Sequence, residues 1–142
     1  MNTQVIPTYV HAIGDYLTST AAPLAARRLG VTPTTRHIVD GMAAMAGAQS
    51  LMTDYEGGAV QVMPMRAHLA ADMAMGVGLL STAAMMRHAP ARDRRLLAGL
   101  GAFSLVYALM TQPERRNDRV AGDVLDEERF TRHGPAYAGF DN

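Results

Sequence analysis

Apolar residues in this chain are grouped in long blocks and show no two-residue alternation typical of a half-buried strand. Four blocks of about 20 residues are rich in Ala, Leu and Met, which favour helix. Each block begins at a proline or directly after one, a residue well tolerated at the start of a helix. The pattern predicts an all-α chain with helices over residues 7–27, 33–54, 64–87 and 91–111.

The predicted helices form two copies of one helical hairpin. The spacing Pro-x3-His-x3-Asp occurs twice, 57 positions apart: Pro7, His11 and Asp15, then Pro64, His68 and Asp72. Each copy closes on a Leu-Met-Thr sequence, which ends at Thr53 and again at Thr111. Such self-similarity indicates a repeated structural unit. We expect repeat one at about residues 5–56 and repeat two at about 62–114.

The length of the blocks fits a membrane span, because about 20 residues of helix cover about 30 Å of hydrocarbon. Residues 73–86 and 96–111 contain no charge, whereas a soluble amphipathic helix has a polar stripe. Arginines concentrate in the first and third turns, which predicts that these turns face the cytoplasm. We expect residues 1–111 to be a four-helix transmembrane bundle, multi-pass in a bacterial inner membrane. A soluble four-helix bundle is the alternative.

Small residues recur at helical spacing inside the blocks. They include Gly41 and Gly47, then Gly76 and Gly78, then Gly99 and Gly101. Small side chains allow helix backbones to approach closely. We therefore expect these glycines at helix–helix contacts.

Composition argues against several functional classes. The chain has no cysteine, which removes disulfide and thiolate chemistry, and a formal net charge of +0, which gives no overall basic footprint for nucleic acid. No Gly-rich phosphate loop, nucleophile elbow or His-Glu-x-x-His helix occurs. The sequence predicts a protein that is not an enzyme and does not bind nucleic acid. The polar tail, residues 112–142, is expected to need a partner surface to become ordered.

The duplicated His and Asp residues are the candidate functional site. Each pair is four residues apart, so it lies on one face of a helix, and the duplication predicts that the two pairs meet. Four neighbours are expected near them: Thr53, Asp54, Glu56 and Glu114. The pairs could lock the bundle through hydrogen bonds, or could bind a metal through His11, Asp15, His68 and Asp72. His11 and His68 could instead be the axial ligands of a haem or hold a pigment. Proton relay or substrate binding is a further alternative.

Several short sequences around these pairs resemble those of a known family. They are Thr53-Asp54-Tyr55-Glu56, Met63-Pro64-Met65, His68-Leu69 and Asp72, with Pro7, His11 and Asp15 upstream. They look like small bacterial four-helix membrane proteins of the SPW-repeat type, over residues 6–111. The Ser-Pro-Trp step that names the family is replaced here by Ala22-Pro23-Leu24 and Ser81-Thr82-Ala83, and tryptophan is absent. The resemblance implies an integral membrane bundle and no particular activity.

Together these observations predict a non-catalytic membrane protein that serves as an accessory or assembly subunit of a larger complex. Its expected partners are the lipid bilayer and other proteins, contacted through the helix faces and the C-terminal tail. The alternative is a membrane protein that binds a metal, haem or pigment at the paired His and Asp positions. The sequence does not identify a cofactor.

Overall fold

The computed structural model describes residues 4–114, which form four helices joined by two short turns and one longer connection, residues 53–64. The helices are α1 (Thr8–Arg28), α2 (Pro33–Met52), α3 (Met65–Met85) and α4 (Ala91–Met110). α1 packs along α2 and α3 packs along α4, so the chain consists of two helical hairpins. The prediction of an all-α four-helix bundle with paired helices is confirmed. The predictions for the tail after residue 114 lie outside the described residues.

Proline marks the start of every helix. Pro7, Pro64 and Pro90 precede α1, α3 and α4, and Pro33 is the first residue of α2. A proline costs little there because the first N–H groups of a helix have no intrahelical acceptor. The predicted starts are confirmed to within one residue.

A buried carboxylate joins the two hairpins at one end of the bundle. Asp93, in the first turn of α4, is fully buried, and its Oδ2 accepts hydrogen bonds from the backbone N–H and the hydroxyl of Thr32, at 3.0 and 2.5 Å. Burial raises the pKa of a carboxyl group, but the hydrogen bonds from Thr32 and Thr35 outweigh it and hold the pKa of Asp93 below its ordinary value. The turn before α2 is thereby attached to α4.

At the opposite end, two short backbone pairings join the hairpins symmetrically. Ile6, two residues before α1, pairs with Thr111, directly after α4, and the equivalent pairing in the other half is Met63 with Thr53. The Ile6 N–H donates to Met110 O at 2.9 Å, and the Met63 N–H donates to Met52 O at 2.9 Å. The duplicated sequence therefore folds as a duplicated structure about an approximate twofold axis.

Two glycines allow α3 and α4 to approach closely. A Cβ on Gly76 would lie 2.8 Å from the Gly101 carbonyl oxygen, and a Cβ on Gly101 would lie 2.7 Å from the Gly76 oxygen. The expected packing role is confirmed for this pair. It is wrong for Gly41, Gly78 and Gly99, where a Cβ would meet nothing within 4 Å among the described residues.

Exposed charge in residues 4–114 is concentrated towards the two ends of the bundle. One end carries seven arginines: Arg27, Arg28, Arg36, Arg87, Arg92, Arg94 and Arg95. The side walls between the ends, which we call the uncharged belt, consist of residues 16–26, 41–53, 73–86 and 96–111. Within residues 4–114, no helix has both the length and the hydropathy of a membrane span. The transmembrane prediction gains no support from hydropathy.

Candidate metal site

The two His-x3-Asp pairs meet inside the bundle, near the end with the backbone pairings. α1 supplies His11 and Asp15, and α3 supplies His68 and Asp72. The imidazoles are sealed from solvent, with side-chain exposures of 0% and 1%, and the carboxylates are 11% and 12% exposed. One potential ligand atom from each residue lies within 4.8 Å of those of the others. The structure thus brings together all four predicted residues.

The distances within this cluster repeat about the twofold axis. His11 Nε2 lies 3.1 Å from Asp72 Oδ2, and His68 Nε2 lies 3.0 Å from Asp15 Oδ2. Within each helix the Nε2-to-carboxylate distance is 3.4 Å for His11 and Asp15 and 3.2 Å for His68 and Asp72. The two Nε2 atoms are 3.3 Å apart. Both imidazoles direct their Nε2 atoms at the same small volume.

Two threonines determine which nitrogen of each imidazole carries hydrogen. Thr53 Oγ1 donates to Gln49 O and Thr111 Oγ1 donates to Tyr107 O, each at 2.7 Å. A hydroxyl has one proton to donate, so it can only accept from a third group. His68 Nδ1 lies 2.7 Å from Thr53 Oγ1, and His11 Nδ1 lies 2.7 Å from Thr111 Oγ1. Each Nδ1 therefore carries a proton and donates it to the threonine.

This tautomer leaves four hydrogen-bond acceptors facing one another. With Nδ1 protonated, a neutral imidazole has a lone pair on Nε2, and ionised carboxylates only accept. Acceptors at 3.0–3.4 Å with no proton between them repel. The arrangement requires positive charge at its centre, supplied either by protons on Nε2 or by a metal cation.

Protons provide this charge when no metal is bound. Burial disfavours a charged imidazole, but hydrogen bonds to Asp15 and Asp72 and the charges of both carboxylates outweigh it and raise the pKa of His68 to about 9. Burial likewise raises the pKa of Asp72, and the hydrogen bonds with His11 and His68 more than reverse this, so that its pKa lies below the ordinary value. A metal would have to displace such protons.

Other polar side chains hold the carboxylates in place. Ser50 Oγ shares its one proton between Asp15 Oδ2 at 3.0 Å and Ala46 O at 2.8 Å, and Tyr55 Oη donates to Asp15 Oδ2 at 3.3 Å. Asp72 Oδ1 accepts from Gln49 Nε2 at 3.0 Å. The sequence analysis missed Gln49, Ser50 and Tyr55, because the repeat has no equivalent of them: the counterparts of Gln49 and Ser50 are Tyr107 and Ala108.

Of the four neighbours expected near the cluster, Thr53 contacts it directly, through His68 Nδ1. Glu56 accepts from the Thr8 hydroxyl at 2.7 Å, and Glu114 forms an exposed ion pair with Arg66 at 2.7 Å. Asp54 is exposed. Glu56 and Glu114 therefore have partners outside the site, and Thr111 takes the place equivalent to Thr53.

A small cavity borders the cluster on its carboxylate side. Its volume is about 40 Å³, and all four helices contribute to its wall. Asp15 and Asp72 line it, together with Thr18, Met42, Ala46, Met75, Leu100, Phe103, Ser104 and Tyr107. Neither His11 nor His68 does. The site is closed on the imidazole side and open towards the centre of the bundle on the carboxylate side.

Comparison with protein families, with curated proteins and with solved structures finds no match for this chain. The resemblance to SPW-repeat proteins therefore stays a prediction. What the fold and the cluster define is a four-helix bundle of two repeated hairpins with a buried His2Asp2 group.

Proposed function

We propose that this protein binds one divalent transition-metal ion through His11, Asp15, His68 and Asp72, with zinc as the best fit. The observation that carries the proposal is the convergence of two carboxylates with two imidazoles whose tautomers are fixed by Thr53 and Thr111. Two imidazoles and two carboxylates are ligands that first-row metals accept. Two ionised carboxylates also balance the charge of a divalent ion.

The spacing of the acceptors fits tetrahedral coordination. Zinc bonds nitrogen and carboxylate oxygen at about 2.0–2.2 Å, so a regular tetrahedron of such ligands has edges of about 3.3 Å or slightly more. The edges that join His11 Nε2, His68 Nε2 and Asp72 Oδ2 measure 3.1–3.3 Å. Metal-binding imidazoles commonly donate their other N–H to a fixed acceptor, as both do here.

Haem or pigment binding through His11 and His68 is less favoured by this geometry. Two axial nitrogens around an iron lie about 4 Å apart with a porphyrin plane between them. Here the nitrogens are 3.3 Å apart, and both carboxylates occupy the space beside them. The adjoining cavity of about 40 Å³ is far smaller than a porphyrin.

The test is metal content and affinity of the purified full chain. We expect one Zn²⁺ or Co²⁺ per chain, with Co²⁺ giving visible absorption from nitrogen and oxygen ligands. The His11→Ala, His68→Ala double variant should lose the ion. His88→Ala, a change at an exposed histidine near the arginine-rich end, is the matched control and should retain it. A wild-type chain that binds neither ion, while remaining folded by circular dichroism, would refute the proposal.

A second candidate function, an accessory subunit of a larger membrane complex, is favoured by the outer surface. The uncharged belt exposes large apolar side chains on every helix, including Leu17, Leu24, Met45, Val77 and Val106. Extended apolar surface typically marks contact with protein partners or lipid. The two candidates are compatible, because one concerns the interior and the other the exterior. Transmembrane placement and the inner-membrane location stay predictions.

A further inference from the structure

We infer that the central cavity is a ligand-binding position next to the proposed metal ion, for a ligand of one to three non-hydrogen atoms: water, exchangeable for a small anion. This inference rests on the proposed metal site. The cavity is the volume of about 40 Å³ between the four helices, bordered by Asp15 and Asp72. A ligand bound there could be exchanged on the metal ion. A purely structural ion, by contrast, is coordinated by protein ligands alone.

The position of the cavity relative to the four ligands supports this inference. The imidazoles approach from the side closed by Thr53 and Thr111 and are almost completely buried. Only the carboxylates border the cavity. An ion held among the four residues is thus covered on the imidazole side, and any additional ligand must come between the two carboxylates. Zinc and cobalt sites can accept a fifth ligand in this way.

The size and polarity of the cavity set the class of ligand. One water occupies about 30 Å³ in the liquid, so this space suits one water or a small linear molecule. The hydroxyls of Ser104 and Tyr107 line the cavity, and they donate to Asp72 O and Val10 O, each at 2.8 Å. Their oxygens remain able to accept, as a bound water requires. Met42, Met75 and Leu100 form apolar walls that exclude larger polar groups.

Charge balance explains why an anion could exchange with the water. Without a metal, the protons that compensate the carboxylates lie on imidazoles that do not reach the cavity, so the groups that face it are carboxylates, which offer an anion no coordination position. A divalent ion between them makes the four-ligand group neutral, since both imidazoles are neutral when Nε2 binds the metal. Anion binding should therefore require the metal, which separates it from adventitious binding to arginines.

The test uses the full chain loaded with Co²⁺ and titrated with azide, with visible absorption as the readout. We expect a saturable spectral change. Ala46→Leu places a larger side chain in the cavity and should weaken azide binding at least tenfold while Co²⁺ affinity changes by less than about threefold. Ala48→Leu is the matched control on the exposed face of the same helix and should behave as wild type.

Leu100→Ala is a second variant, in case Ala46→Leu impairs folding. It enlarges the cavity and should admit thiocyanate, which the wild-type cavity should bind at least tenfold more weakly than azide. Bound Co²⁺ with no spectral response to azide would overturn the inference and leave the metal proposal intact. Equal azide affinity in wild type and Ala46→Leu would also overturn it. Failure to bind Co²⁺ at all would refute both the inference and the metal proposal.

Discussion

At the scale of single residues, the hydroxyls of Thr53 and Thr111 matter as much as the imidazoles they contact. Each hydroxyl uses its only proton on a backbone carbonyl and so accepts the Nδ1 proton of a histidine. This fixes both the tautomer and the ring orientation. A valine of the same shape would leave Nδ1–H without a buried acceptor, which costs about 1–3 kcal/mol for such a group.

We therefore predict that Thr53→Val lowers metal affinity about 10–100-fold, the usual effect of losing a partner of a metal-binding histidine. Thr111→Val should have a similar effect because of the twofold symmetry, and Thr53→Ser should restore most of the affinity. Isothermal titration with Zn²⁺ provides the measurement. Thr82→Val is the control, since the Thr82 hydroxyl also bonds the carbonyl four residues earlier, Gly78 O, but contacts no histidine. Equal losses in Thr53→Val and Thr82→Val would contradict this role.

The sequence predicts the two histidines and two aspartates of the cluster but not the side chains that hold them in place. The repeated spacing of His and Asp placed each pair on one helix face, and duplication implied that the pairs meet. The sequence also predicts that Thr53 lies near the cluster, and Thr111 is its counterpart in the repeat, but nothing in the spacing indicates that their hydroxyls accept from the imidazoles. Gln49 and Tyr55 come from non-repeated positions, and their contacts depend on how the helices cross. That information is absent from a helical periodicity.

At the scale of elements, the hairpin of α3 and α4 depends on a backbone contact that two glycines permit. The sequence predicted close packing for glycines generally, because each lacks a side chain. Which glycines face a neighbouring helix is determined by helix rotation, and only the three-dimensional structure separates Gly76 and Gly101 from Gly41, Gly78 and Gly99.

Gly101→Ala is expected to destabilise the fold by about 1–3 kcal/mol, because the added methyl would overlap the Gly76 carbonyl and force the helices apart. Gly99→Ala, two residues away in the same helix, should be neutral or stabilise by up to about 1 kcal/mol, since it gains helix propensity and meets open space. Urea unfolding of both variants measures the difference. Similar stabilities would show that α3 and α4 do not pack at these positions.

At the scale of the whole molecule, the distribution of charge distinguishes the ends from the walls. Arginines surround one end, and the acidic residues Asp54, Glu56 and Glu114 lie at the other. Between them the uncharged belt exposes apolar and small side chains. A surface of this kind is costly in water unless another apolar surface covers it.

We predict that the full chain, expressed in bacteria, fractionates with membranes or with a larger complex and enters the detergent phase in a phase-partition assay. The His11→Ala, His68→Ala double variant should fractionate in the same way if it folds, because it leaves the belt unchanged. A monomer that stays in the aqueous phase without detergent would argue against the accessory-subunit proposal. It would leave the metal proposal untouched.

The approximate twofold axis has a consequence for the origin of the site. Each hairpin supplies one imidazole and one carboxylate, and the threonine that follows its second helix bonds the imidazole of the other hairpin: Thr53 accepts from His68, and Thr111 accepts from His11. A single ancestral hairpin would supply only half of these groups, so it could form the site only by dimerising with a second copy of itself. A covalent connection through residues 54–63 makes the association of the two hairpins intramolecular, so that each is present at a high effective concentration around the other. The fusion then frees the two halves to diverge, as Ser50 and Ala108 have done.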